Sequence, residues 1–228
     1  SPKGVSIGDI DGDGKPDLVT ANSGSNNVSV LRNTSTPGTI DASSSFAAKV
    51  DFAAGPTGVG PTEVLIGDID SDGKPDITAS NQGASDISVL RNTSISGTVS
   101  FAAKVDFTVG SSPRGLALGD IDGDGKPDLA VANDVGNNVS ILRNTSISGT
   151  ISLATKVDFT TGTKPVGVAI ADLDGDNRPD VAVANQTSAT ISIFHNIADL
   201  PTITSFTPTS GTSVPVTVLK VEKGRVID

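Results

Sequence analysis

An all-β fold is predicted by three observations. The apolar 36% of the 228 residues is almost entirely Val, Ile, Leu and Ala, with seven Phe and no Trp, Tyr, Met or Cys. Short β-branched runs stand between clusters drawn from 25 Gly, 13 Pro and many Asn and Ser, the pattern of strands joined by turns. No stretch keeps helical periodicity beyond about two turns.

Composition also excludes function classes. Without Cys there are no disulfides, no thiol catalysis and no cysteine metal sites. His195 is the only histidine, so zinc is not expected. A formal charge of −10 argues against a nucleic-acid partner. No run approaches the ~18 apolar residues of a membrane span, so no membrane insertion is expected. No basic start with an apolar stretch marks a signal peptide, and an exported protein would be represented by its mature part. Glu63 and Glu222 are the only glutamates among 26 acidic residues; such an excess of Asp points to turns or hard-cation ligands.

One phrase recurs four times: GDIDGDGKPDL from Gly8, GDIDSDGKPDI from Gly67, GDIDGDGKPDL from Gly119 and ADLDGDNRPDV from Ala171. The leading residues Asp9, Asp68, Asp120 and Asp172 are 59, 52 and 52 residues apart. A second phrase follows from Val28, Ile87, Val139 and Ile191, and a third, FAAKVDF or LATKVDF, from Phe46, Phe101 and Leu153; the fourth repeat lacks the third phrase. The repeats run over about 1–54, 55–109, 110–162 and 163–199.

Taken in order, the first repeat predicts strands at Val5 to Ile7, Leu18 to Ala21 and Val28 to Leu31. A fourth follows in which Phe46, Ala48, Val50 and Phe52 share one face. Four strands in roughly 50 residues is the arithmetic of a β-propeller blade, so the sequence predicts about four repeats of four antiparallel strands. After about Leu200 the chain turns to PTITSFTPTSGTSVPVTV. Residues 200–228 are either a linker leading into a truncated β module, or their Val214, Val216 and Val218 supply a strand to the fourth blade.

The recurring phrase places carboxylates at positions 1, 3, 5 and 9 of a nine-residue loop. These are Asp9, Asp11, Asp13 and Asp17; Asp68, Asp70, Asp72 and Asp76; Asp120, Asp122, Asp124 and Asp128; and Asp172, Asp174, Asp176 and Asp180. A hard cation such as Ca2+ takes about six to eight oxygens, and alternate residues of a tight turn can aim three carboxylates at it. Gly at position 6 permits the reversal, Asn177 replacing it in the fourth loop. Position 7, Lys15, Lys74, Lys126 or Arg178, offers its backbone carbonyl. Two unit charges 4 Å apart repel by about 4 kcal/mol at an effective dielectric of 20, which makes four such loops hard to explain as turns alone. About four Ca2+ per chain would bring the charge of −10 to about −2. An EF-hand is disfavoured because position 12 is Thr20, Ala79, Val131 or Val183 instead of Glu, and strands flank the loop.

These loops, each followed by a V-A-N type strand, resemble the FG-GAP repeat of integrin-α propellers and, more closely, its bacterial VCBS-type relatives. The resemblance covers residues 1 to about 199 and implies a β-propeller with Ca2+ in a hairpin loop of each blade, held by the sixteen aspartates and four carbonyls just named. Such propellers commonly close with seven blades, so the chain would be a fragment of a larger ring flanked by further repeats or domains, a ring completed by a partner, or an unusually small ring. Ala21-Asn22, Ser80-Asn81, Ala132-Asn133 and Ala184-Asn185 stand where the family has Gly-Ala-Pro. PTITSFTPTSG is similar to the opening of bacterial IPT/TIG modules.

Three further features have blander readings. Asp41, Ser43 and Ser45 match the D-x-S-x-S of an adhesion-type metal site but lie in a loop of small residues; His195 occupies the place of Arg32, Arg91 and Arg143 as a degenerate surface position; Asn33, Asn92 and Asn144 head glycosylation-like triplets. No nucleophile and base recur together, so no enzyme is expected. The expected function is a calcium-binding adhesion or interaction scaffold of a secreted or cell-surface protein, with a protein or glycan ligand; the cell exterior or periplasm follows from the scarcity of cytosolic Ca2+. A lectin-like propeller is the alternative, disfavoured by the lack of Trp and Tyr. An accessory module of a secreted hydrolase or lyase is less favoured still.

Overall fold

The computed structural model describes residues 1–41, 43–56, 60–198, 216–222 and 225–227. Among them the protein is all-β, with four sheets that correspond to the four repeats. No helix among the described residues is long and apolar enough to cross a membrane. The chain divides into two units, Ser1–Phe107 with Ser146–Ile151, and Thr108–Thr145 with Ser152–Asp228.

The first unit holds two sheets. One has the order β1 (Pro2–Gly8), β2 (Asp17–Asn22), β3 (Asn27–Leu31) and β4 (Val50–Ala53); the other has β5 (Glu63–Gly67), β6 (Asp76–Asn81), β7 (Asp86–Leu90) and β8 (Val105–Thr108). Period-two alternation is visible in β2, where Asp17, Val19 and Ala21 are buried and the residues between them are half-buried. Strand β6 is buried along its whole length, so both of its faces are covered. The core joins the two sheets through Ile10, Val19, Val28, Val64, Ile77 and Leu90. Full burial of each such side chain is worth about 1.5–3 kcal/mol. Phe52 meets Phe101 edge to face, with centroids 4.9 Å apart at 72°. Gly4 lets β1 approach β5, since a Cβ there would lie 2.9 Å from the Glu63 Cα.

The second unit repeats the scheme with β9 (Pro113–Gly119), β10 (Asp128–Asn133), β11 (Asn138–Leu142) and β12 (Val157–Thr160). Its other sheet has β13 (Pro165–Ala171), β14 (Asp180–Asn185), β15 (Thr190–Ala198), β16 (Val216–Glu222) and β17 (Arg225–Ile227). Its core gathers Ile121, Ala130, Val139, Phe159, Val181 and Phe194. Strand β16 lies parallel to β15, with Ile193 opposite Val216. Parallel neighbours need a crossover of a dozen or more residues. Val214 and the PTITSFTPTSG stretch lie outside the described residues.

The third phrase is a shorter strand than its alternation predicts. Val30 pairs with Val50 in the ladder, whereas Asn33 bridges Phe46, so one extra residue sits on the Phe46 side. The same one-residue slip separates Ile141–Val157 from Asn144–Leu153. A bulge of this kind interrupts the common face expected from Phe46 to Phe52, and β4 begins only at Val50.

A string of polar side chains that sequence reading missed crosses each of the first three sheets. Asn22 Nδ2 donates to Asn27 Oδ1 at 2.9 Å and to Ser29 Oγ at 2.7 Å, and Ser29 donates to Asp51 Oδ1 at 2.5 Å. Asn81, Ser88 and Asp106 repeat it, as do Asn133, Ser140 and Asp158. The Gly55 amide then donates to Ser88 Oγ at 3.0 Å, tying the segment after one sheet to the middle of the next. These hydrogen bonds hold neighbouring strands in register, while Asn81 Oδ1 and Asn133 Oδ1 stay buried without a hydrogen-bond partner.

Candidate metal centre

Each Asp-rich loop links the first two strands of its sheet. In the first, Asp9 Oδ2 accepts the Gly14 amide at 2.8 Å, Asp11 Oδ1 the Asp13 amide at 3.1 Å, and Asp13 Oδ1 the Lys15 amide at 2.9 Å. Alternate carboxylates thereby wind the backbone around themselves, which is the local preference of Asp in turns. The reversal uses left-handed backbone at position 6, with φ of 86° at Gly14, 87° at Gly73, 86° at Gly125 and 67° at Asn177. Position 4 is left-handed as well: Gly12, Gly123 and Gly175 in three loops, and Ser71, φ 59°, in the second. A non-glycine residue there costs roughly 1 kcal/mol. Ser71→Gly should therefore raise stability by about 0.5–1 kcal/mol in a urea melt; a decrease would contradict the geometry.

Position 9 has a role that spacing alone did not reveal. Asp76 is fully buried and accepts two backbone amides, Ile69 at 2.9 Å and Asn92 at 2.8 Å. Asp17, Asp128 and Asp180 do the same with Ile10 and Asn33, Ile121 and Asn144, and Leu173 and Asn196. The second partner is the Asn of the second phrase. Its side chain is buried, and its Nδ2 donates to Pro16, Pro75, Pro127 or Pro179 O. Asn92 and Asn196 also reach Ile10 O at 2.8 Å and Ile121 O at 2.7 Å, in the preceding repeat. Asn33, Asn92 and Asn144 are thus structural staples, ill placed to accept a glycan.

Three carboxylates converge in each loop, offering oxygens within 4.8 Å of one another: Asp9, Asp11 and Asp13; Asp68, Asp70 and Asp76; Asp120, Asp122 and Asp128; Asp172, Asp174 and Asp180. Asp17, Asp72 and Asp124 stand outside these groups, and Asp176 joins Asp174 and His195 in a separate one. Mutual repulsion of like charges opposes drawing a fourth carboxylate in. The position-7 residues are fixed by their amides, Lys74 by Asp72 at 2.9 Å, Lys126 by Asp124 at 3.0 Å and Arg178 by Asp176 at 2.9 Å. The donor set is all hard oxygen, and Asp120 Oδ1 is buried with no hydrogen-bond partner. Both features fit a divalent cation.

Loop electrostatics point the same way. Burial pushes the carboxyls of Asp76 and Asp128 up to about 6, against the opposing pull of the Asn92 and Asn144 amides, and the nearby Asp70 and Asp122 add to the rise. Asp17 is raised by burial too. Asp172, at the exposed fourth loop, is held below its usual range by the Gly175 amide. A raised carboxyl means that the folded chain binds the proton more tightly than the unfolded one, so stability is fully present below about pH 4 and is lost as pH rises through 6. In EDTA, stability should fall by roughly 1 kcal/mol for each of Asp76 and Asp128 between pH 5 and 7. Melts at the two pH values measure this, and equal stability would refute it.

The D-x-S-x-S segment closes on itself: Asp41 Oδ1 accepts the Ser43 amide at 2.9 Å and its hydroxyl at 2.8 Å, and Ser45 Oγ accepts the Asp41 amide at 2.8 Å. It is a polar turn. His195, expected as a plain surface position, lies instead beside the fourth loop, Nε2 2.7 Å from Asp174 Oδ2.

Comparison with solved structures gives a putative 6-phosphogluconolactonase from Bacteroides fragilis, at 20% identity and TM-score 0.55 over 82% of this chain and 49% of that one. A functionally unknown protein from Desulfotomaculum acetoxidans matches at 19% and 0.49, over 86% and 57%. BBS1N, solved in complex with ARL6DN, matches at 14% and 0.49, over 86% and 48%. The chain spans about half the length of these proteins, and the first likeness shows a shared fold alone. No curated protein matches in sequence. The FG-GAP-like repeat profile matches residues 9–79, 68–131 and 120–183, each window running from one Asp loop through the next. With well over half of its length matched in this way, the chain belongs to the family of FG-GAP-like repeat proteins.

Proposed function

We propose that this protein is a non-catalytic, calcium-binding β-propeller module of a secreted or cell-surface protein, in which structural Ca2+ in the Asp loops stiffens a scaffold for adhesion or protein interaction. The observation that carries the reading is the convergence of three carboxylates in every one of four loops. Ca2+ is favoured over Mg2+ because the loops offer several carboxylates and carbonyls in an irregular cage, where Mg2+ demands near-ideal octahedral geometry. Position-9 carboxylates held on backbone amides are poorly placed for acid–base work, which supports a binding role.

Calorimetric titration tests it. About four Ca2+ per chain, with affinities of about 10⁻⁴ to 10⁻³ M typical of extracellular modules, is the expected result. No Ca2+ uptake would reduce the aspartates to turn formers and remove the basis of the proposal.

A further inference from the structure

We propose that the fourth loop takes a nitrogen-accepting divalent ion of the zinc or cobalt type, ligated by His195, Asp174 and Asp176. This deepens the cation reading of that loop and rests on it only for the presence of a loop site.

The four loops differ in one partner. In the first three, an Arg at the end of the third strand leans on the loop: Arg32 lies 3.8 Å from Asp11, Arg91 3.6 Å from Asp72, and Arg143 3.4 Å from Asp122 and 3.9 Å from Asp124. A guanidinium there partly neutralises the carboxylates and ligates nothing. His195 stands in that place in the fourth repeat and brings a metal-ligating nitrogen.

Its position is fixed from both sides. Phe194 is fully buried in the second core, and Asn196 is anchored through its amide on Asp180 at 2.8 Å and its Nδ2 on Ile121 O at 2.7 Å. The imidazole between them points at the loop. Nε2 lies 2.7 Å from Asp174 Oδ2 but is not aligned for a hydrogen bond, and the atom is buried without one. Two ligands of one tetrahedral zinc stand about 3.3 Å apart, so the imidazole and the Asp174 carboxylate would part by roughly half an ångström to admit an ion between them. Ligand atoms of Asp174, Asp176 and His195 fall within 4.8 Å of one another. Ligands around one zinc lie about 2.0–2.2 Å from it, so small side-chain rotations close the site. One imidazole with two carboxylates suits zinc or cobalt, whereas Ca2+ prefers oxygen alone. The competing cation is Arg178, 3.9 Å from Asp176 and half-exposed.

The test uses the whole chain saturated with Ca2+ and titrated with Zn2+ by calorimetry, and with Co2+ by visible absorption; since Asp174 also belongs to the fourth loop's own carboxylate group, the incoming ion displaces the Ca2+ held there. With one histidine and no cysteine in the chain, the control is clean. One Zn2+ per chain is expected, together with Co2+ bands of a nitrogen-ligated ion. H195R, which installs the residue of the other three repeats, should weaken Zn2+ at least tenfold and leave Ca2+ uptake by the first three loops unchanged. R143H should create a second Zn2+ site with Asp122 and Asp124. Equal Zn2+ affinity in H195R overturns the proposal even if Ca2+ binds everywhere. Zn2+ uptake that H195R abolishes, in a chain that takes no Ca2+, upholds it and overturns the calcium reading instead.

Discussion

Chelation with EDTA should lower the melting temperature by about 10–20 °C. Each tenfold excess of ion over its dissociation constant adds about 1.4 kcal/mol per site, so four sites contribute roughly 5–6 kcal/mol. A domain of this size shifts by about 2–4 °C per kcal/mol. The physical origin lies in the loops themselves, where Asp11, Asp70 and the position-9 residues are buried carboxylates held near like charges. Circular dichroism is the appropriate probe, since the chain has no Trp or Tyr. An unchanged melt would mean that the amide hydrogen bonds alone hold the loops together.

Asp76→Ala should cost about 3–5 kcal/mol, the largest effect expected of a single substitution. It strands two buried amides, those of Ile69 and Asn92, each at about 1–3 kcal/mol. Asp76→Asn keeps one acceptor and turns an amide group toward the other donor, so roughly half of that loss is expected. Urea melts in EDTA isolate this architectural term from the cation. A change below about 0.5 kcal/mol in the alanine variant would show that water or a shifted backbone satisfies both amides.

The repeat, the four-strand blade and the convergence of loop carboxylates were all legible in the sequence, because identical phrases at fixed spacing must fold alike. Asp9, Asp11 and Asp13 meet as their alternation requires, whereas in the other three loops the position-9 carboxylate takes the place of position 5. The staple role of Asp17 and the double duty of Asp76 were not legible, because their partners Asn33 and Asn92 lie 16 residues on and nothing in a linear pattern distinguishes a ligand from a staple. The recurring Asn after Arg or His in the second phrase was the available signal. The bulge between Phe46 and Val50 was hidden for another reason: Ala47 still bonds Arg32 O in register with the Phe46 bridge, so the slip falls at Ala48 and Lys49, whose apolar–polar alternation reads as unbroken. His195 was read as mere divergence, since its significance depends on a loop that the fold brings to it from 21 residues upstream.

The staples between repeats carry a consequence for how the loops fill. Asn92 holds Ile10 O, the Gly97 amide donates to Asp11 Oδ2 at 3.1 Å, and the Gly149 amide donates to Asp70 Oδ2 at 2.9 Å. A loop is therefore finished by residues that lie later in the chain than its own sheet, and ordering one lowers the cost of ordering the next. Occupancy then spreads as in a one-dimensional nearest-neighbour chain, with a titration steeper than that of independent sites. The fourth loop, whose Asp172, Asp174 and Asp176 are exposed, is the first of the four to fray.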